Sequence, residues 1–228
     1  DRNQESRQLS IYEPRSGKFT LIDTCFGTHH LQFDNHGMLW TSGGYEVLGW
    51  FDPGKFAATG DAMQSQGWTP FILDTNGNGI RDEGYVGPNE PVDPGKDTRV
   101  FRASPYGIVT NPVDGSVWVA EPGLPGAILH VAPGSDPSKT ALTERYEPPY
   151  NNPQAAVSGF TPRGLDVDTH GVIWTALAGS AHIASFDRRK CRVLNGPTAT
   201  GQHCPEGWTL YPVPGPKFRG MPADAAIS

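Results

Sequence analysis

The sequence predicts an all-β fold, and three observations carry that expectation. First, 28 Gly and 22 Pro in 228 residues mark a turn-rich chain, yet six Trp, seven Tyr and ten Phe demand a packed interior. Short strands joined by tight turns satisfy both. Second, three segments align with one another: THHLQFDNHGMLWTSG from Thr28, PYGIVTNPVDGSVWVAE from Pro105 and PRGLDVDTHGVIWTAL from Pro162. Third, further strand-like runs follow each segment, so a unit of four strands recurs along the chain.

Within each segment His or Gly precedes Leu or Ile, the chain turns through Gly37, Gly115 or Gly171, and Trp40, Trp118 or Trp174 follows three residues later. An alternating strand, an Asp/Asn/Gly turn and a second strand bearing a large aromatic make a β-hairpin. The third strands are read in YEVLGWFDP, GAILHVAPG and AHIASFDRR, and the fourth most clearly in LTERYEPP and GWTLYPVP. Four antiparallel strands repeated at this length describe the blades of a β-propeller. The N-terminal LSIYEPRSGKFTLID reads as a third and fourth strand lacking the first two.

The expected organisation is therefore three full blades plus a half blade. Residues 1–24 supply the last two strands of a preceding blade. Residues 25–104 form a blade with a long insertion (53–104) and a calcium-type loop at 74–85. Residues 105–150 form the second full blade, 151–213 the third with a Cys191–Cys204 loop, and 214–228 a linker to a further blade. Since the smallest propellers have about four blades, the chain is expected to be a piece of a longer propeller whose remaining blades are its partners.

A net charge of −6 and a pI near 5.6 argue against a nucleic-acid surface. No apolar run approaches the ~20 residues of a membrane span. The chain opens on no signal peptide, which a mature secreted chain also lacks. Cys191 and Cys204 flank the polar loop CRVLNGPTATGQHC. A disulfide there is preferred over two free thiols and implies an oxidising compartment, secreted or periplasmic. Cys25 is expected to be a buried apolar thiol.

The sharpest local motif is DTNGNGIRDE, Asp74 to Glu83. Asp74, Asn76 and Asn78 occupy positions 1, 3 and 5 of a D-x-[DN]-x-[DN]-G loop, with Gly79 at the sharp turn. Ile80 offers its carbonyl at 7, and Asp82 falls at 9. Position 12 is Tyr85, where a bidentate Glu is wanted. Glu83 is the available substitute, as in the shorter calcium loops of thrombospondin-type repeats, which this segment resembles. Structural calcium and an ion-free Asn-Gly turn are both open readings. The rest of the insertion, GYVGPNEPVDPGKDTR, reads as surface loop.

The pattern P-x-G-[IL]-x5–6-G-x-x-W, best seen in PYGIVTNPVDGSVWVAEPG, resembles the repeats of streptogramin (virginiamycin B) lyases and their NHL-like and SMP-30-like propeller relatives. The resemblance covers roughly residues 28–52 and 105–213 and bears on fold more than on activity. In the lyases a His just before the repeat Gly and a Glu three residues past the repeat Trp serve a Mg²⁺-assisted elimination that opens a cyclic depsipeptide. A neutral His removes a proton near pH 7, and the divalent ion stabilises the developing charge.

Carried over by position, the resemblance places His29, Tyr106 and Arg163 at the His position of successive blades, and Gly43, Glu121 and Leu177 at the Glu position. The one His and the one Glu fall in different blades. His36 and His170 occupy hairpin turns, and His130, His182 and His203 are isolated. Two function classes follow. One is a lyase- or lactone-hydrolase-like enzyme with magnesium or another divalent ion near His29, Tyr106, Glu121 and Arg163. The other is a non-catalytic module binding a small-molecule, carbohydrate or peptide ligand at the same propeller face.

Overall fold

The computed structural model describes residues 7–43, 46–100 and 103–214. The expected linker beyond Pro214 lies outside the described residues. Strands β1 (Gln8–Glu13) and β2 (Lys18–Asp23) pair antiparallel as a half blade. Strands β3 (His30–Phe33), β4 (Leu39–Gly43), β5 (Val47–Phe51) and β6 (Gln66–Pro70) form the first full blade in sequential antiparallel order. The third has the same order in β13 (Pro162–Val167), β14 (Ile173–Leu177), β15 (His182–Phe186) and β16 (Trp208–Pro212).

The second blade is wider. To β9 (Ile108–Thr110), β10 (Val117–Glu121), β11 (Ala127–Ala132) and β12 (Leu142–Tyr146), the insertion adds β7 (Ile72–Leu73) and β8 (Thr98–Arg99) along the outer edge. The contact is parallel, with Leu73 opposite Thr143. The segment expected as insertion thus differs from a plain loop. It also contains the first blade's own fourth strand, β6, and a short helix, Pro53–Thr59. Asp52 caps that helix by accepting from the Lys55 amide, Pro53 opens it, and Gly60 ends it in the left-handed conformation (φ 68°).

The repeat residues do the same work in each hairpin. Gly37, Gly115 and Gly171 all take positive φ (83°, 73° and 80°), which a glycine adopts without strain. Asp34 Oδ1 accepts from the amides of His36 and Met38, and its Oδ2 accepts from Trp40 Nε1 at 2.9 Å. Asp168 does the same for His170, Val172 and Trp174. In the second blade Ser116 Oγ accepts from Trp118 Nε1 instead. In the first and third blades one turn carboxylate therefore fixes both the turn and the Trp orientation. In the second, Asp114 holds the turn through Ser116, and Ser116 holds the Trp.

Adjacent sheets bury their facing sides against one another. Leu9 and Ile22 of the half blade pack with Leu39 and Phe51. Trp40, Leu48 and Phe71 meet Val117, Val119 and Leu129 across the next seam. Trp118, Ile128 and Tyr146 then meet Ile173, Leu177, Phe186 and Trp208. Strand alternation makes this possible, because Val117 and Val119 face backward while Trp118 faces forward. Trp40 and Trp118 point toward the following blade, and Trp174 stacks on the exposed Tyr211 of its own blade.

The Cys191–Cys204 disulfide is formed, with Cα atoms 5.2 Å apart, and Cys204 lies in the seam between the second and third blades. Cys25, expected to be buried, is exposed. In the link between β2 and β3 the inward positions fall to Thr24 and Phe26, and Phe26 lies against Gly49, so the thiol between them faces out. Among the described residues no helix is long and apolar enough to cross a membrane.

Trp118→Ala is expected to destabilise the protein by about 3–5 kcal/mol through the cavity it leaves. Val113→Ala, at an exposed turn position, is expected to stay within about 0.5 kcal/mol. Urea midpoints of the two variants check the contrast.

Candidate functional site

The innermost strands β3, β9 and β13 lie side by side across the blade boundaries. Their first residues therefore meet at one end of the propeller. His29 donates its amide to the Ser42 carbonyl just before β3, and Tyr106 donates its amide to the Ala120 carbonyl just before β9. Arg163 sits within β13, where the pairing register slips between Pro162 and Leu165. Such irregularities re-aim side chains at strand ends.

These three repeat-equivalent residues come together. The His29 and Tyr106 rings are 5.1 Å apart between centroids, and the Arg163 guanidinium lies 4.8 Å from the Tyr106 ring centre. His30 joins them, 4.4 Å from the His29 ring and 4.7 Å from the Tyr106 ring, both edge-on. The result is a continuous imidazole–phenol–guanidinium surface spanning three blades, with the cation over the π face. His29 and Arg163 are exposed, whereas His30 and Tyr106 are half-buried.

His30 stands where the other blades have Gly107 and Gly164. A side chain at Gly107 would run into the Arg163 carbonyl at 2.3 Å, so the second blade cannot repeat the His there. Burial, and then the neighbouring His29, hold the His30 imidazole below its ordinary range, which favours the neutral ring. Its Nε2 is buried with no hydrogen-bond partner among the described residues. A cavity of about 420 Å³ opens beside it, lined by His29, His30, Leu31 and Phe33 together with Gln8 and Ile11 of the half blade.

Glu121 does not join this cluster. It follows the backward-facing positions Val117 and Val119 and accepts from Arg145 Nε at 2.9 Å, and Arg145 also pairs with Glu147. Burial pushes the Glu121 carboxyl up, against the opposing pull of Arg145. The His29–His30–Tyr106–Arg163 surface thus carries a cation and no carboxylate. A hard Mg²⁺ ion prefers carboxylate oxygens, so these four groups do not fit it.

At the forward face of the second blade, His130 and, from the third blade's disulfide loop, His203 are less isolated than their sequence positions suggest. Glu144 accepts two bonds from Arg188 at 2.6 Å each and one from Tyr146 Oη at 2.6 Å, and His130 Nδ1 lies 3.2 Å from it. Burial pushes the Glu144 carboxyl up, but the Arg188 hydrogen bonds and the adjacent His130 outweigh it and hold the group at about 2. His203 packs 5.2 Å from the Tyr146 ring. This network lies in the seam between the second and third blades, away from the inner strand ends.

In the Asp74–Glu83 loop, Asp74 is buried. Its Oδ1 accepts from the amides of Gly77 and Asn78, and its Oδ2 from Gly79. Asn76 Oδ1 accepts from Asn78 N, Asn78 Oδ1 accepts from Ile80 N, and Asn76 Nδ2 donates to Asp82 Oδ2 at 2.9 Å. Glu83, Ile80 and Tyr85 are exposed. Among the described residues no three His, Cys, Asp or Glu side chains converge as a ready metal shell.

Fold and site together define a β-propeller with a polar surface at the ends of its inner strands. The chain superposes on virginiamycin B lyase from Staphylococcus aureus over 93% of its own length and 51% of that chain, with a TM-score of 0.56 and 14% identity. It matches a streptogramin B lyase structure over 92% and 49% (TM-score 0.52, 13% identity). It also matches a catalytically inactive S. aureus virginiamycin B lyase with quinupristin over 93% and 51% (TM-score 0.55, 13% identity). The chain therefore spans about half the length of these lyases, and at this identity the likeness establishes the shared fold alone. No protein-family model matches the chain, and no curated protein matches it.

In an NMR pH titration His30 is expected to ionise below the ordinary value of ~6.5, and His29→Ala is expected to raise it by removing a like charge. Because the folded value is the lower one, the unfolded chain binds the proton more readily. Stability is then unaffected well above pH ~6.5 and falls as the pH drops through the window below it. A downward move in the His29→Ala protein counts against this arrangement.

Proposed function

We propose that the His29–His30–Tyr106–Arg163 surface is the ligand face of a lyase-like propeller that opens a small ester-bearing or cyclic substrate. The observation that carries the reading is the convergence of repeat-equivalent residues from three blades into one contact chain. In this reading the Arg163 guanidinium, held over Tyr106, engages a carbonyl or carboxylate oxygen of the ligand. A neutral imidazole, His29 on the exposed side or His30 behind it, accepts the proton at the reacting carbon. The half-buried rings exclude water from one side of the bound molecule.

A second reading, a non-catalytic binding face for a small-molecule, carbohydrate or peptide ligand, is favoured by the engagement of Glu121 with Arg145, which leaves the surface without a carboxylate. Quinupristin, present with the inactive lyase, is a suitable probe. For the enzymatic reading, full-length protein linearises it, His29→Ala lowers kcat/KM by about 10²-fold or more, and Arg163→Ala raises KM. Binding without turnover supports the second reading. Neither binding nor turnover of quinupristin or related esters removes the first.

The Asp74–Glu83 loop is proposed to hold structural calcium, because alternating oxygens in a tight Gly turn match the donor set of a hard cation. Flanking blades are proposed as partners. In support, Tyr12, Phe19 and Leu21 are exposed on the half blade, as are Ile183 and Tyr211 on the third blade, and the lyases matched are about twice as long. The intact mass of the native protein is expected to exceed that of 228 residues by roughly this factor. The disulfide supports an extracellular or periplasmic location.

A further inference from the structure

The insertion contains a buried acidic side chain that neither the motif nor the axial surface uses. Asp97, just before β8, is fully buried, and its Oδ1 has no hydrogen-bond partner among the described residues. A buried carboxylate oxygen in this state is costly unless a cation or a donor meets it. Its carboxylate is turned toward the Asp74–Glu83 loop. Oδ2 accepts from the Asp82 amide at 2.7 Å, and the Asp97 amide donates back to Asp82 Oδ2 at 3.3 Å. The nearby Arg81 guanidinium donates to Thr69 Oγ1 at 3.0 Å and leaves Asp97 Oδ1 without a donor.

We propose that Asp97 is the carboxylate that completes a calcium site on the Asp74–Asp82 loop, in the place that position 12 of the loop, Tyr85, cannot fill. The inference rests on the reading of this loop as a cation loop. A calcium loop of this pattern takes a carboxylate at its last position. Tyr85 carries none and Glu83 is exposed, so a buried acid from sequence-distant chain meets the requirement. Asp74, Asp82 and Asp97 are not a preformed shell, so the ion would draw them together. An ionised carboxylate has about four lone-pair sites, and the present contacts of Asp74 and Asp82 leave acceptor capacity for it. Burial, with Asp82 and Asp74 adding to it, pushes the Asp97 carboxyl up against the pull of the Asp82 and Thr75 backbone. A divalent ion relieves that like-charge crowding.

The position gives the ion a mechanical role. The Asp74 carbonyl accepts from Gly196 N at 2.8 Å, inside the Cys191–Cys204 loop of the third blade. Gly77 backs onto Gly196 so closely that an added Cβ would lie 3.3 Å from its Cα. Leu73, just upstream, pairs with the outer edge of the second blade. Calcium held by Asp74, Asp82 and Asp97 would thus clamp a strap running from the first blade over the second to the third.

The test uses full-length protein stripped with a chelator, followed by calorimetric calcium titration and thermal melting. Wild type is expected to bind calcium and melt higher. Asp97→Asn is expected to bind at least about tenfold more weakly, yet to melt no lower than wild type without calcium, since it removes a buried charge crowded by Asp74 and Asp82. Should Asp97→Asn fold poorly, the wild-type Asp97 carboxyl ¹³C resonance serves instead and is expected to shift on calcium addition. Equal affinity in Asp97→Asn and wild type with loss in Asp74→Asn, or an unmoved Asp97 resonance at calcium saturation, overturns the role of Asp97 and leaves the loop reading standing. No calcium binding by wild type overturns both.

Discussion

Trp118 is the side chain on which the arrangement of the blades turns. It is almost fully buried in the seam between the second and third blades, with the His130 ring 4.9 Å away, Phe186 at 5.9 Å and Tyr146 stacked at 6.2 Å. Its indole N–H is satisfied within its own hairpin by Ser116. The ring can therefore face a neighbouring sheet without leaving a buried donor unpaired. Trp40 has the same role at the preceding seam, tied to Asp34. Forward-facing indoles anchored by their own turns let a sheet of short strands stack at a fixed spacing, and the spacing of the blades sets where the inner strand ends meet.

The same seam explains why a fully paired carboxylate sits in an otherwise apolar interior. Glu144 belongs to the second blade and Arg188 to the third, so their bidentate contact reports that the two sheets are in register. Buried pairs of this kind add little net stability over apolar contacts, but removing one partner is severe. With Tyr146 donating to the same carboxylate and His130 close beside it, the network restricts sliding where apolar contact alone would permit it.

The blades were legible in the sequence because their signals are local. Each turn Gly, the following Trp and the alternating strands lie within one hairpin, and the equivalence of His29, Tyr106 and Arg163 follows from that register. Cys191 and Cys204 bracket a single loop and were legible for the same reason. What escaped depends on chain brought from afar. Glu144 and Arg188 are 44 residues apart, and only blade stacking pairs them, so His130 beside them looked isolated. Strands β7 and β8 have two residues each, too few for any periodicity. The helix Pro53–Thr59 did carry its signals, an Asp-Pro start and a Gly stop, but they lay inside a segment read as insertion. Cys25 was misplaced because its apolar character was given more weight than the alternation of β2, which runs on through Ile22, Thr24 and Phe26 and turns the thiol outward.

Two kinds of chemistry occupy two ends of the sheets, and topology keeps them apart. Inner strands contribute the imidazole, phenol and guanidinium groups, where three blades present equivalent positions to one another at close range. Outer strands carry the strap with Asp74, Asp82 and Asp97, beyond β12 and against the disulfide loop. Substitutions in the inner group leave the seams filled by Trp, Phe and Val. Changes in the outer group alter how firmly three sheets are held together. The inner surface is formed by contact between blades rather than within one: Tyr106 touches His29 behind it and Arg163 ahead of it. Its geometry is therefore only as well defined as the seams, and the seams are what the strap and the disulfide loop brace.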